Sequence, residues 1–352
     1  MDIDYLRTVE GRHKNVDKTM KMKIAGTINA PRKQNDVTIS AMDLDSEEEL
    51  LICAGFQGGV SVVRVDSLKL EKLKSKTNKS SKEHRGINNV QWCCIDSRMF
   101  LTSTIDNSLT MWDSQKMTAI KSKKLELKNS MSFHWNQYHA TNPMVAIADA
   151  TKNIQIVDFR VGWEICQDIR ATEKISNIRW FPSGRHLLYT CDLNGNISVF
   201  DVRSARQTLM HKKVSSRPIQ NLRLTSDGLE VISIDNQSNI SLMDSITLEE
   251  KSRYEPEDVK FPTYFEIFES SSNYVLVSTG GIDLKMIKMD GAGIEVRPLK
   301  GHMKKTTCST FLSRNNELIT GCTTYPLVVW STNFEVYKDN VRMDVDTWSD
   351  EE

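Results

Sequence analysis

The stretch HRGINNVQWCCIDSRMFLTSTIDNSLTMWD, residues 84–113, decides the fold. It holds short runs of apolar and β-branched residues, with the turn-forming pair Asp106-Asn107 before the last run and Trp112-Asp113 at its end. Trp92 lies in the first run, where apolar and polar residues alternate as they do in a half-buried strand. The pattern predicts a meander of short antiparallel strands.

The end of this unit recurs along the chain at a nearly constant interval. Equivalent closing residues follow each other after 41 to 47 residues, a mean of about 44 that is typical of WD-type blades. They are Asp66, Asp113, Asp158, Asp201, Asp244, Asp290 and, in the last unit, Ser331. A second landmark, the tryptophans Trp92, Trp135 and Trp180, recurs after 43 and 45 residues. Two landmarks with one period indicate a true repeat.

Seven such units predict an all-β, seven-bladed WD-repeat β-propeller, because a single four-stranded blade cannot bury both of its faces. We assign the propeller to residues 31–340, a short N-terminal helical extension to residues 1–30 and an acidic tail to residues 341–352. Either the N-terminal segment or Phe334 to Tyr337 could supply the strand that closes the ring. The N-terminal closure is the common one in such propellers, and we expect it here.

The N-terminal extension has a helical spacing of apolar residues. One face carries Ile3, Leu6 and Val9, and after Gly11 a second series follows at Val16, Met20 and Ile24. This spacing predicts two short amphipathic helices that could bind in a groove of a partner. The alternatives are a frayed tail or the closing strand of the propeller.

Composition excludes several classes of protein. Lysine plus arginine and aspartate plus glutamate each number 46, so the global basic excess of a dedicated nucleic-acid binder is missing. Seven cysteines without a CxxC spacing suggest neither a zinc site nor a redox pair, and fit reduced thiols in the cytosol or nucleus. No apolar window has the length of a membrane span. Motifs for phosphate loops, serine hydrolases and metalloproteases are absent, so we expect neither an enzyme nor a cofactor.

The second unit carries residues that could be mistaken for a catalytic pair. His84 precedes its first strand, Ser103 or Thr104 supplies a hydroxyl in the next strand, Asp106 lies in the turn and Trp112 in the closing strand. In WD repeats such groups form a buried chain of hydrogen bonds that ties the strands together. We interpret them as a structural network.

Two adjacent units end in an Asp-x-Arg box, Asp158-Phe159-Arg160 and Asp201-Val202-Arg203. The arginine of one such box could simply pair with a neighbouring carboxylate. Two consecutive boxes resemble the double motif of substrate receptors for cullin-4 ubiquitin ligases, where the boxes lie on the face that docks the adaptor. A planar and permanently charged guanidinium suits such an interface better than lysine would.

Two lysine-rich stretches, residues 69–85 and 116–128, show no apolar period. They predict solvated loops. A patch of Lys72, Lys74 and Lys76 that contacts phosphates is the less favoured alternative.

Residues 84–113 also resemble the second repeat of the Cockayne syndrome group A protein family. The stretches at residues 225–244 and 299–330 and the Trp-Ser-acidic ending at residues 348–352 are similar to that family as well. The Asp201 box matches its WDxR position, with Phe200 in place of the tryptophan. The resemblance covers most of the propeller, at the level of a divergent relative.

This resemblance implies a nuclear, non-catalytic substrate receptor of a cullin-4 ligase in transcription-coupled nucleotide excision repair. The implied partners are the ligase adaptor (the large subunit of the damage-specific DNA-binding protein), the group B repair ATPase and the stalled RNA polymerase complex. Under this interpretation the two boxes and the N-terminal helices bind the adaptor. A generic WD-repeat scaffold and a propeller that binds damaged DNA directly remain the alternatives.

Overall fold

The computed structural model consists of strands that form seven antiparallel sheets of four strands each. It describes residues 22–28, 39–66, 69–77, 86–93, 96, 98–124, 132–136, 144–148, 152–159, 163–182, 186–204, 208–256, 265–269, 273–278, 282, 284–290, 293–302, 304–323 and 327–331. Within this part of the chain no helix has the length and apolar character that crossing a membrane would require.

Each sheet is one blade. Blade 1 contains β2 (Ile39–Leu44), β3 (Leu50–Gly55), β4 (Gly59–Asp66) and β5 (Lys69–Thr77). Blade 2 contains β6 (Ile87–Trp92), β7 (Met99–Thr104), β8 (Ser108–Asp113) and β9 (Thr118–Lys124). Blade 3 contains β10 (Ser132–Trp135), β11 (Met144–Ala148), β12 (Asn153–Asp158) and β13 (Glu164–Arg170). Blade 4 contains β14 (Ile175–Trp180), β15 (Leu187–Asp192), β16 (Asn196–Asp201) and β17 (Thr208–Lys213).

The remaining blades follow the same order. Blade 5 contains β18 (Ile219–Leu224), β19 (Glu230–Asp235), β20 (Ile240–Asp244) and β21 (Glu250–Tyr254). Blade 6 contains β22 (Phe265–Glu269), β23 (Asn273–Ser278), β24 (Leu284–Asp290) and β25 (Gly293–Leu299). Blade 7 contains β26 (Thr306–Leu312), β27 (Glu317–Cys322) and β28 (Leu327–Ser331), and its fourth strand is β1 (Lys23–Ile28).

The first strands of neighbouring blades contact each other and surround the propeller axis. Because successive strands are antiparallel, the turns of a blade alternate between two faces. The lower face carries the turns that join first to second and third to fourth strands. The upper face carries the turns that join second to third strands and the connections between blades.

The predicted repeat is confirmed strand by strand. The third strands of the seven blades end at Asp66, Asp113, Asp158, Asp201, Asp244, Asp290 and Ser331, the seven closing positions found in the sequence. Trp92, Trp135 and Trp180 end the first strands of blades 2, 3 and 4. All three tryptophans are buried and lie in the clusters that fill the space between neighbouring blades.

The N-terminal segment closes the ring, as expected. β1 pairs antiparallel with β28, with Ile24 opposite Trp330, and Met22 is buried among apolar side chains of blades 6 and 7. The predicted helix is therefore wrong where it includes Ile24. Blade 7 receives three strands from the end of the chain, and pairing along the open edge of β28 outweighs a helical period that rests on three residues. Ile3, Leu6, Val9, Val16 and Met20 lie outside the described residues, as do Phe334 to Tyr337 and the acidic tail.

The lysine-rich stretches are not loops throughout. Residues 69–77 form β5, which pairs along its whole length with β4, and residues 118–124 form β9. A fourth strand lies on the outside of its blade, and every residue of β9 is exposed or half-buried. Backbone hydrogen bonds hold such a strand without an apolar face, so its sequence looks like that of a solvated loop.

Candidate protein-interaction face

The Asp201 box lies on the lower face of blade 4, where β16 ends. The backbone N–H and Nε–H of Arg203 donate to Oδ1 of Asp201 over 2.9 and 3.0 Å, and Nη2 donates to Oδ2 over 2.6 Å. The hydrogen bonds from the Arg203 side chain hold the pKa of Asp201 below its usual value, and those to Asp201 raise the pKa of the guanidinium. The box is thus an ion pair on the surface of the propeller.

This fork fixes the orientation of the guanidinium. Asp201 occupies the Nε and Nη2 side, and the Arg203 side chain is 67% exposed, so the other edge of the guanidinium faces outward. A planar cation held in one orientation loses little side-chain entropy when it meets a carboxylate of a partner. The arrangement is suited to recognition of an acidic group at the lower face.

The two predicted boxes differ in structure. Asp158 ends β12 and is 6% exposed, and Arg160 lies outside the described residues. Phe159 between them stacks on Trp135 with ring centroids 5.1 Å apart and meets Trp163 edge-on at 4.6 Å. The first box is therefore anchored in the core between blades by its middle residue. Among the described residues of the two boxes, the exposed fork belongs to the second.

A second fork, between Asp96 and Arg98, was not predicted from the sequence. Asp96 and Arg98 lie in the turn between β6 and β7, also on the lower face, and Arg98 binds Asp96 through its backbone N–H, Nε and Nη2, each over 2.9 Å. The signal was present as Asp-Ser-Arg with the same spacing. It follows a first strand, whereas both predicted boxes follow third strands, so it falls outside the repeat of closing positions.

Two large apolar side chains are exposed on the lower face of blade 5. Leu229 is 61% exposed and Ile246 is 64% exposed. Their turns are held together, because the N–H of Ser245 donates to the Leu229 carbonyl over 3.0 Å. The hydroxyl of Tyr189 from blade 4 donates to the Ser245 carbonyl over 2.8 Å. This apolar pair therefore stands on a turn that is braced against the blade with the Arg203 fork, as a hydrophobic anchor of an interface would.

The structural network differs in one residue from the prediction. The indole N–H of Trp112 donates to Thr102 Oγ1 over 2.9 Å, and Ser103 is fully buried with no hydrogen-bond partner for its hydroxyl among the described residues. Side chains alternate along β7, so the hydroxyl on the face of Trp112 is that of Thr102 and the assignment to Ser103 is wrong. Asp106 accepts a hydrogen bond from Thr104, and His84 lies outside the described residues.

Two buried titratable groups of the described residues have strongly shifted pKa values. Burial raises the pKa of the Cys191 thiol to about 12, which keeps it protonated. Burial, with the charges of Arg179 and Arg223, lowers the pKa of His134 well below its usual value. In the described part of the chain, no three His, Cys, Asp or Glu residues are grouped as metal ligands would be.

Comparison with known proteins gives distant relatives. No protein-family model matches the chain. A WD repeat-containing protein of Dictyostelium discoideum is 21% identical over 222 residues, which are 61% of this chain and 12% of that protein. Human pre-mRNA-processing factor 17 is 24% identical over 166 residues, 47% of this chain and 28% of that factor.

Subunit I of eukaryotic translation initiation factor 3 from Drosophila pseudoobscura pseudoobscura is 25% identical over 175 residues, 45% of this chain and 51% of that subunit. The chain thus spans about half the length of this relative and less of the other two. The seven-bladed propeller and these relatives together support the assignment of the chain to the WD-repeat proteins.

Proposed function

We propose that this WD-repeat propeller is a non-catalytic substrate receptor of a cullin-4 ubiquitin ligase that acts in transcription-coupled nucleotide excision repair. The observation that carries the proposal is the Arg203 fork, an exposed and oriented guanidinium at the end of a third strand on the lower face. The resemblance of the Asp-x-Arg boxes to those of such receptors supplies the identity of the partner.

In this proposal the lower face of blades 4 and 5 docks the large subunit of the damage-specific DNA-binding protein. The segment before residue 22 adds a second contact, and the upper face presents the substrate complex with the group B repair ATPase and the stalled polymerase. Ubiquitin transfer then depends on the effective concentration of substrate near the catalytic arm of the ligase. A nuclear location follows from this role.

The test is a titration of the purified adaptor against the full chain, Arg203→Ala and Arg98→Ala by surface plasmon resonance. The two arginines form forks of the same geometry and are 67% and 66% exposed, so Arg98→Ala controls for the loss of an Asp-Arg fork as such. We expect Arg203→Ala to weaken binding about tenfold or more, with Arg98→Ala close to wild type. Equal binding by all three chains would contradict docking through the box.

A deletion of residues 1–21 tests the N-terminal contact. This boundary preserves Met22 and β1, which belong to the propeller. We expect the shortened chain to remain folded and to bind the adaptor more weakly. If the full chain shows no affinity for the adaptor, the cullin-4 assignment fails.

The relatives favour a second candidate, a scaffold in an RNA-processing or translation assembly. Two of them are named as a pre-mRNA-processing factor and a translation initiation factor subunit. Affinity purification of the tagged full chain, followed by mass spectrometry, separates the candidates. Recovery of spliceosomal or initiation-factor subunits without ligase subunits would favour the scaffold.

A further inference from the structure

Three large apolar side chains are exposed on the upper face at equivalent positions of blades 1, 2 and 4. Each is the first residue after the second strand of its blade, and they are Phe56, Ile105 and Leu193, with exposed fractions of 45%, 53% and 44%. Single exposed apolar residues are common on soluble proteins, but Phe56 and Ile105 lie on neighbouring blades. These two residues therefore form a candidate contact surface, which we call the upper apolar patch.

Gly86 brings the two residues of the patch together. It is buried in the connection that enters blade 2, and its carbonyl accepts the N–H of Ile105 over 2.9 Å. A Cβ at Gly86 would lie 2.5 Å from the carbonyl oxygen of Phe56 and 3.0 Å from Cδ1 of Ile105. Since both residues lie against the same glycine, they are neighbours in space.

Two lysines lie on the upper face of the adjoining blade 7. Lys304 and Lys305 are exposed and directly precede β26, the first strand of that blade. Thr307 in β26 donates a hydrogen bond to the Ile39 carbonyl of blade 1 over 2.5 Å. Ile39 in turn lies opposite Gly55, which ends the second strand of blade 1 next to the upper apolar patch. The lysines and the patch thus follow one another across three consecutive blades, 7, 1 and 2.

This surface fits an acidic segment that carries a large apolar side chain, because exposed apolar patches with a charged rim are typical of interaction sites. Such a segment occurs in this chain: residues 344–352, DVDTWSDEE, contain five carboxylates, one tryptophan and no basic residue. Asp106 follows Ile105 in the patch, is half-buried and accepts a hydrogen bond from Thr104. We therefore match the carboxylates of the segment with the lysines of blade 7, and its indole with the apolar patch.

The chain between the propeller and this segment is long enough to reach the upper face. β28 ends at Ser331 on the lower face of blade 7, and 12 residues, 332–343, separate it from the acidic segment. They span up to about 40 Å when extended, whereas β28 spans about 17 Å from face to face. The lower face suits an acidic segment less well, because six of the seven third strands end there in an aspartate.

We propose that residues 344–352 dock on the upper face of blades 7, 1 and 2 of the same molecule, with Trp348 on the upper apolar patch and the carboxylates at Lys304 and Lys305. This contact does not depend on the proposed ligase role. The tether makes docking an intramolecular equilibrium with an effective concentration of about millimolar. The acidic segment therefore competes with any partner that binds this part of the upper face.

Trp348 itself reports the docking. The chain has seven tryptophans, and the other six are buried, each 4% exposed or less. Acrylamide quenching is measured on the full chain and on Trp348→Phe, and the difference between the two is the emission of Trp348. An affinity of the order of the effective concentration keeps Trp348 docked about half of the time, so its release should raise its quenching constant about twofold.

Two double variants of the full chain should each release Trp348, and each is measured with and without Trp348→Phe. One removes the apolar contact and the other reverses the charge: Phe56→Ser with Ile105→Ser, and Lys304→Glu with Lys305→Glu. All four side chains are exposed, so we expect the fold to persist, and far-UV circular dichroism checks this. We expect both variants to raise the quenching constant of Trp348 about twofold.

The matched control is Leu193→Ser with Lys174→Glu on blade 4. Leu193 has the position of Ile105 in its own blade, and its N–H donates to the carbonyl of the exposed Lys174 over 3.1 Å. We expect this variant to be quenched as wild type is, and an equal rise in the control would overturn the proposed location. Equal quenching constants for wild type and both releasing variants would overturn the docking itself and leave the patch to a separate partner. Protection of Trp348 that is lost on dilution would also overturn the proposal, since the occupant would then be the acidic segment of a second copy.

Discussion

His302 Nε2 lies 2.6 Å from Oγ1 of Thr320, and the same hydroxyl accepts the indole N–H of Trp330 over 2.8 Å. Thr320 is fully buried, so a single oxygen joins the connection that enters blade 7 to its second and third strands. This is the hydrogen-bond chain that the sequence analysis expected around His84, and the described residues show it in the last blade. Burial lowers the pKa of His302 to about 4.

The stability of the propeller should therefore fall in mildly acidic solution. The unfolded chain protonates His302 near its ordinary pKa, whereas the folded chain does so only near pH 4. Between these values the unfolded state binds more protons than the folded state. The contribution of neutral His302 to the free energy of unfolding is therefore complete above about pH 6.5 and is lost as the pH falls towards 4. We expect a loss of about 2–3 kcal/mol. Urea unfolding at pH 7.5 and 4.5 measures it, and His302→Gln should show a smaller loss. Equal losses would show that His302 is not responsible.

Substitution of Thr320 by valine should destabilise the chain by about 1–3 kcal/mol, the cost of leaving buried polar groups without their hydrogen bonds. The change keeps the shape of the side chain and removes the oxygen shared by His302 and Trp330. Denaturant unfolding of Thr320→Val gives the value. The double variant Thr320→Val with Trp330→Phe should lose less than the sum of the two single losses, because the indole N–H that valine leaves without its acceptor is removed as well. A double variant less stable by the sum of both changes would indicate that the two groups act independently.

Gly195 should tolerate no side chain. Its φ is +86°, and a Cβ there would lie 2.1 Å from the carbonyl oxygen of Ser215, in the connection to blade 5. The positive φ alone costs about 1–2 kcal/mol for a residue with a side chain, and the overlap adds to it. Gly58→Ala, also at a positive φ in a turn between second and third strands, is the matched control. We expect Gly195→Ala to lower the free energy of unfolding by clearly more than Gly58→Ala does.

The periodic part of the fold could be predicted from the sequence because each landmark marks a position with the same structural role in successive blades. The closing aspartate and the first-strand tryptophan mark the ends of buried strands, and burial constrains residue type strongly. Outer strands are held by backbone hydrogen bonds at the exposed edge, so β5 and β9 left no recognisable pattern. The closing strand β1 was predicted by analogy with other propellers, whereas the spacing of apolar residues that includes Ile24 predicted a helix.

The candidate site was predictable only in part. The Asp201 box was found from its spacing, but the exposure of Arg203 depends on the turn that it occupies. The hydrogen bond from the N–H of Trp92 to Asp43 depends on the register between blades, since the two residues lie 49 residues apart in the sequence. Contacts of this kind join residues that are distant in the sequence and become neighbours in space only when the blades pack into a ring. For the same reason Leu229 and Ile246 could not be recognised as neighbours.

Two truncations should separate the closing strand from the segment before it. Deletion of residues 1–21 leaves Met22 and β1 in place, and we expect the free energy of unfolding to stay within about 0.5 kcal/mol of wild type. Deletion of residues 1–28 removes the fourth strand of blade 7 and exposes the edge of β28. Such an open edge promotes aggregation, so we expect a lower melting temperature and oligomers in size-exclusion chromatography. Equal behaviour of both truncated chains would mean that β1 does not close the ring.

The apolar pair on blade 5 should matter for binding and not for folding. Leu229 and Ile246 are more than 60% exposed, so their replacement by serine should change the free energy of unfolding by less than about 0.5 kcal/mol. Loss of two apolar anchors should weaken a protein complex on the lower face about tenfold or more. The matched control is Ile120→Ser with Leu209→Ser, since these residues are 54% and 55% exposed on the outer strands β9 and β17. Each double variant is titrated against the partner that affinity purification of the full chain recovers, and the change in affinity is measured. If the outer-strand variant loses as much affinity as the Leu229 and Ile246 variant, the interface lies on the rim of the propeller and not on its lower face.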